Sequence, residues 1–413
     1  MLVLVAEKIN SKFLKIISII CSFLVPLLVT GPFLPDLLVS GLSLWFLYYS
    51  LKNKIYNIYR NIYFYFFVGF WFTCILSSLL SDDILFSLKA SLFYIRIGIF
   101  ALLISYLISQ NKIILDYFYY AFLITFSALI IDGYFQYFTG FNLFGFPLSS
   151  SRVSSFFGDE LILGSYLARL SPLFLALFIV RSNKQFLEIF FVSIIFIFIY
   201  ILIFLAGERA SFVLINLSII LTILFMSNYR WLRVGILIIS LCIVTFLIFK
   251  DKKLYYRYIE TPIKSFGLNS PTKYFFTPEH DSLIRTSWNM FLDKPILGHG
   301  PKIYRVKCSD PKYATGVFPC HTHPHNFYVQ LLAETGLIGF LFLAGLFFYF
   351  IYLLIKHVFE HFIHKKKYLS DYKIYLLSGL LITIWPITSN GNIFTNYLML
   401  FYSLQMGFFK KDV

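Results

Sequence analysis

Three imidazoles fall within five residues in His321-Thr322-His323-Pro324-His325-Asn326, in a chain with eight histidines in all. Imidazole exchanges a proton near neutral pH, so such a cluster can hold a metal, sense pH or act as a base. Alternate spacing puts ligands on one face only in an extended segment, which Pro324 permits. No Asp or Glu at ordinary ligand spacing completes a zinc set, and Cys320 serves only if its thiol is free. The reading favoured is therefore His325 as a general base, with no metal and no cofactor expected; polar interface histidines are the plain alternative.

Cations come next. Arg209 lies in the tight Ala206-Gly207-Glu208-Arg209-Ala210 connection, Arg152 in the Ser151–Asp159 loop, and Lys89 and Arg96 near one end of an apolar run. Each has a plain role as a snorkelling, solvated or anchoring charge. Arg169 sits well inside an apolar run, where a charge is costly enough to be a functional candidate. Guanidinium groups converging on one membrane face suit a pyrophosphate carried on a lipid, because they bind phosphate oxygens bidentately and stay charged. No acidic pair stands ready to hold a divalent ion against that pyrophosphate; Asp82-Asp83 reads as a loop start. Glycosyl transfer here is expected to need no metal, with arginines stabilising the departing pyrophosphate.

The elements that must position these groups are helices in a bilayer. Of 413 residues, 59% are hydrophobic and 13% charged, and apolar runs recur from end to end. The runs lie near 16–33, 36–51, 61–80, 92–109, 113–133, 161–180, 186–206, 210–228, 234–249, 330–355, 374–388 and 394–409. Most approach the ~20 residues that cross a hydrocarbon core of about 30 Å. The sequence thus predicts an all-α polytopic membrane protein of about twelve transmembrane helices. Continuous runs exclude a β-barrel, whose strands alternate in polarity.

The net charge of +15 does not mark a nucleic-acid binder, because the basic residues sit between spans where they set topology. With the N-terminus inside, Lys52, Lys54, Arg60, Lys112, Arg181, Lys184, Arg230, Arg233, Lys356, Lys365–Lys367, Lys373, Lys410 and Lys411 all fall inside. Both termini are then cytoplasmic, and the domains read as 1–249 (nine spans), 250–329 (an outer loop domain) and 330–413 (three spans). The loop domain contains Cys308 and Cys320, which in a bacterial periplasm would close a disulfide worth about 3 kcal/mol. It also contains a helix start at Thr277-Pro278-Glu279-His280-Asp281. An apolar stripe of Ile284, Trp288, Phe291 and Leu292 follows, with Arg285 about 100° away. The expectation is a helix lying at the membrane surface on that stripe and presenting Arg285 to the site.

These residues carry a resemblance. His325-Asn326 followed by Gly336 and Gly339 resembles the His-Asn…Gly-x-x-Gly signature of the O-antigen ligase and polymerase superfamily. Arg285, Trp288, Pro295, Gly298 and Gly300 look like its Arg…Trp…Pro-x-x-Gly-x-Gly stretch, and Phe157–Glu160 with Tyr166-Leu167-Ala168 looks like another. Asp159 and Glu160 depart from it where amides are expected, and Arg169 is an added charge. The resemblance implies a GT-C-like membrane fold and an inverting glycosyltransferase of the bacterial inner membrane. Its donor would be an undecaprenyl-diphosphate-linked glycan, and membrane lipids would surround it. His325 would be the catalytic base, Arg209, Arg285 and Arg152 would bind the diphosphate, and His323, Asn326, Arg169, Lys89 and Arg96 would support them. The leading expectation is an O-antigen ligase moving a polysaccharide to a lipid A core acceptor at the periplasmic face. An O-antigen polymerase joining repeat units on the same carrier is the nearest alternative, with protein O-oligosaccharyl transfer behind it. A lipid-linked glycan transporter is the alternative from another class; the chain lacks the paired, interrupted halves usual in transporters.

Overall fold

The computed structural model describes residues 2–149, 151–182, 185–265 and 277–410. Lys184, Lys411 and residues 266–276 of the expected loop domain lie outside the described residues. The described elements are helices, joined by turns and two isolated β-bridges, Phe141 to Pro147 and Ser149 to Arg152. Eight of the described helices are long and apolar enough to cross a membrane: Phe33–Lys52, Ile62–Leu79, Ile84–Gln110, Ile113–Thr139, Leu163–Arg181, Phe186–Leu205, Arg230–Lys250 and Phe327–His364. Arg209–Phe225 and Tyr397–Phe409 are shorter apolar helices. The protein is a multi-pass, all-helical membrane protein.

Two of the expected runs are interrupted by polar or proline residues. The run at 16–33 divides into the Leu2–Ser22 helix and a short Leu24–Leu27 turn containing Pro26. The run at 374–388 stops early, as the 13-residue Asp371–Thr383 helix. That length rises about 20 Å, short of the ~30 Å hydrocarbon thickness. Beyond it Trp385-Pro386 ends the helix, and the buried Thr388, Asn390 and Asn392 form an irregular segment leading to Tyr397–Phe409. Non-helical backbone is tolerated at membrane depth where protein or a wet cavity surrounds it. The Asp371–Thr383 helix is buried along its length and packs on Leu163–Arg181. A side chain on Gly379 would meet Gln405 Oε1 at 2.5 Å and Pro172 Cβ at 3.1 Å.

The second break lies inside Phe327–His364, where Gly336 has φ 63° and ψ −164°, a conformation essentially restricted to glycine. The backbone groups freed there pair with the Pro295–Gly300 turn. His299 and Gly300 donate to the carbonyls of Ala333 (3.1 Å) and Glu334 (2.8 Å), while Leu337 and Ile338 donate to those of Pro295 (2.8 Å) and Ile296 (3.3 Å). The Ser77 hydroxyl lies 2.5 Å from the Leu297 carbonyl and 2.8 Å from that of Glu334, tying the junction to the Ile62–Leu79 helix. Contact is backbone to backbone: a Cβ on Gly336 would lie 2.3 Å from the Ile296 oxygen, and one on Gly298 2.5 Å from the Glu334 carbonyl carbon.

The Pro278–Asp293 helix starts as expected, with the Thr277 side chain accepting from the His280 N–H, and the face it turns to the protein carries Ser282, Leu283, Thr286, Ser287 and Met290. Leu283 and Met290 pack with Tyr304, Cys308, Tyr313 and Ala333, while Trp288 and Leu292 are 49% and 60% exposed. Hydroxyls decide the face. Ser282 and Thr286 accept from the Val317 and Thr315 N–H groups, both at 3.1 Å, so the small polar side turns inward. Cys308 and Cys320 are joined by a disulfide with Cα atoms 4.8 Å apart.

Replacing Gly336 by Ala should destabilise the protein by more than about 3 kcal/mol, since the alanine pays for a glycine-only conformation and for a backbone collision. Thermal unfolding in detergent reads this; a transition unchanged from wild type would show that the junction does not hold the fold.

Candidate functional site

His325 occupies a left-handed backbone position, φ 56°, immediately before the Phe327–His364 helix. Neighbours on both sides impose this conformation. Asn326 caps the helix, its side-chain oxygen accepting from the N–H groups of Tyr328 (3.0 Å) and Val329 (3.1 Å). Its amide nitrogen donates to the Pro386 carbonyl at 2.7 Å. The Asn390 N–H donates to the His325 carbonyl at 2.7 Å, and the Arg169 guanidinium donates to the Asn390 side chain at 2.9 Å and to Ser165. The charge inside the Leu163–Arg181 span is thus spent on the irregular segment that seats the His325 backbone. Gln330 extends the network: its amide nitrogen reaches Glu334 and Asn392, both at 2.8 Å, and Glu334 accepts from the Tyr304 N–H at 2.9 Å.

His325 faces a cavity of about 1540 Å³. Arg152, Arg169, Arg209, Arg257, Lys302 and Arg305 line it, together with His280, His323 and Asn326, the acids Asp159, Glu160 and Glu208, and an apolar flank that includes Ile162, Val213 and Phe401. Gly207 organises two of the arginines. Arg152 donates to the Ala206 carbonyl at 3.0 Å and to that of Leu161 at 3.1 Å, while Arg257 donates twice to the Gly207 carbonyl, at 2.8 and 2.6 Å. Gly207 has φ 70°, and a Cβ there would lie 2.8 Å from both arginine side chains. Glu208 is held by the Ser165 N–H and the Ser211 hydroxyl. Among the described residues, no carboxylate forms an ion pair with Arg152, Arg209, Arg257, Lys302 or Arg305. Cationic side chains outnumber carboxylates in this lining, so the cavity carries an excess of positive charge and suits an anion.

The histidine rings cluster around His325, with His321 and His323 tilted against it and His280 edge to face. The His325 ring centre lies 4.2 Å from that of His323, 4.8 Å from His321 and 5.6 Å from His280. Burial first, then the neighbouring imidazoles, pushes His325 down to about 4 and His323 to about 3. His280 is lowered too, chiefly by burial, and its ring contacts Thr277 and Ser389. Of these groups only His321, His323 and His325 bring ligand atoms together, all within 4.8 Å of one another.

The structure brings His325, His323, Asn326, Arg169, Arg152 and Arg209 to one cavity. Arg285, Lys89 and Arg96 lie elsewhere. Arg285 is 60% exposed and pairs with Asp281 at 2.7 Å; Arg96 pairs with Asp36 at 2.6 Å; Lys89 is exposed. Arg257, Lys302, Arg305, His280 and Asn390 were not singled out from the sequence. Lys302 and Arg305 directly follow the Gly-x-Gly turn, a position that could have flagged them; Arg257 and Asn390 have no local signal.

A cation-rich cavity with buried histidines and an apolar flank, inside a multi-pass membrane protein, suits an anionic ligand with an apolar part. Residues 193–344 match the family model described as O-antigen ligase, a similarity that supports the O-antigen ligase-like superfamily. The matched stretch contains Arg209, Arg257, Lys302, Arg305, His325 and the Gly336 break, and it supports an O-antigen ligase- or polymerase-like, glycosyltransferase-type activity. No curated protein matches the chain.

Replacing Asn390 by Ala strands the buried Arg169 charge, and should cost about 2 kcal/mol, whereas Arg169→Met removes the charge together with its need and should cost less. Unfolding of the two variants in detergent checks the order; a costlier Arg169→Met would show that the arginine does more than hold this segment.

Proposed function

We propose that the protein is an O-antigen ligase, transferring a polysaccharide from undecaprenyl diphosphate to a lipid A core acceptor by single, inverting displacement. The observation that carries this reading is His325 at the wall of a cavity in which cationic side chains outnumber carboxylates. Arg152, Arg209 and Arg257 would hold the diphosphate through charge-assisted, bidentate contacts, with the lipid tail along the apolar flank. Arg285, Lys89 and Arg96 have no part in it. Arg169, Asn326 and Asn390 position the His325 backbone.

In the proposed step the acceptor hydroxyl gives its proton to the free nitrogen of His325 as its oxygen attacks the anomeric carbon. The bond from that carbon to the phosphate oxygen breaks, and its electron pair leaves with the diphosphate, whose charge the arginines stabilise. Attack opposite the leaving group inverts the anomeric centre. Topology follows the charge distribution: both termini in the cytoplasm of a bacterial inner membrane, and residues 250–329 with the cavity in the periplasm. The Cys308 to Cys320 disulfide suits that oxidising compartment.

Purified protein incubated with undecaprenyl-diphosphate oligosaccharide, with and without lipid A core, should move glycan to the core. His325→Ala should lower the rate by about 10²- to 10⁴-fold while leaving unfolding unchanged. Longer glycan on the carrier without core would replace the ligase by a polymerase, and full activity of His325→Ala would remove the base assignment.

A further inference from the structure

The three imidazoles of the His-x-His-x-His segment form a second site overlapping the first. Their ligand atoms lie within 4.8 Å of one another, against about 3.4 Å between nitrogens sharing one tetrahedral zinc. Rotating the exposed His321 ring is the least hindered way to close that gap. The Thr322 hydroxyl stands between Nδ1 of His321, at 3.2 Å, and Nδ1 of His323, at 3.0 Å. It turns both rings so that their Nε2 edges are left over. Outer hydrogen bonds of this kind orient the histidines of metal centres. Nε2 of His323 is buried and has no hydrogen-bond partner, a cost that a metal would remove. Cys320 is taken up in the disulfide, and no carboxylate belongs to the cluster among the described residues. The donor set is therefore three nitrogens with an open fourth position. Zinc and neighbouring late first-row dications accept that set, whereas magnesium and calcium ask for oxygen.

We propose that His321, His323 and His325 bind zinc, or a similar late transition-metal dication, and that occupancy turns glycosyl transfer off. Metal coordination engages the His325 ring and takes the lone pair that would accept the acceptor proton, so one imidazole serves two exclusive ligands. The inhibitory half rests on the proposed function; the binding half rests on the cluster alone. His321 makes the two separable, because it does not line the cavity.

The test uses the full chain, purified in detergent through a tag without histidine. Cobalt(II) titration should give one equivalent of tetrahedral visible absorption, displaced by zinc and unaffected by magnesium. His321→Ala should weaken cobalt and zinc binding by at least about tenfold, leave metal-free transfer unchanged, and raise the zinc concentration that halves transfer by the same factor. Absent cobalt absorption, or binding indifferent to His321→Ala, would overturn the site. Zinc that binds yet leaves transfer running, or transfer abolished by EDTA, would overturn the inhibition. Cobalt binding is read on the protein alone, so loss of the glycosyl-transfer reading leaves that measurement decisive.

Discussion

The structure depends on one unpaired stretch of helix backbone. Breaking the Phe327–His364 helix at Gly336 frees carbonyls and N–H groups in an apolar setting, where each unsatisfied group costs several kcal/mol. The Pro295–Gly300 turn satisfies them with four hydrogen bonds, and only glycine at 298 and 336 lets the two backbones approach that closely. The consequence reaches the chemistry from both sides. Upstream of the break, His325 and the capping Asn326 lead into the first helical turn; downstream of the turn, Lys302 and Arg305 are delivered to the same cavity. A short spacing between His-Asn and Gly336 is therefore a mechanical requirement: it sets how far His325 stands from the junction that delivers Lys302 and Arg305.

Charge follows from that geometry. A membrane protein that buries Arg169 in a span and gathers further unpaired cations around one cavity bears a large electrostatic cost unless something anionic enters. Arg169 spends its hydrogen bonds on Ser165 and Asn390 and so keeps the irregular 384–395 segment in place. Arg152 and Arg257 instead spend theirs on carbonyl oxygens around Gly207, which orient the guanidiniums without neutralising them. Orientation with charge left over is what a phosphate site needs.

Much of this was legible in the sequence where the signal is local. Hydrophobic runs marked the membrane helices, Thr277-Pro278 marked a helix start, and His325, Asn326, Gly298, Gly300 and Gly336 stood out through a family resemblance, without the junction that the glycines form. What was not legible depends on contacts distant in the chain. The inward face of the Pro278–Asp293 helix is set by Ser282 and Thr286 bonding to the backbone at 317 and 315, and Arg285 pairs with Asp281, contacts that no local pattern announces. The sequence separates the last two apolar runs at the polar 389–393 stretch, but the early end of the Asp371–Thr383 helix and the burial of Asn390 and Asn392 depend on packing. Arg257 and Asn390 act through backbone groups 50 and 65 residues away, at Gly207 and His325, and no sequence spacing announces that.

The central claim is that an anionic lipid enters the cavity around Gly207 and His325. Photo-crosslinking with a polyprenyl diphosphate carrying a diazirine beside the phosphates, followed by peptide mapping, tests it most directly. The account predicts adducts on peptides containing Arg152, Arg209 or Arg257, competed by unlabelled polyprenyl diphosphate. Competed adducts on the Pro278–Asp293 helix around Arg285, with none around Gly207, would contradict it.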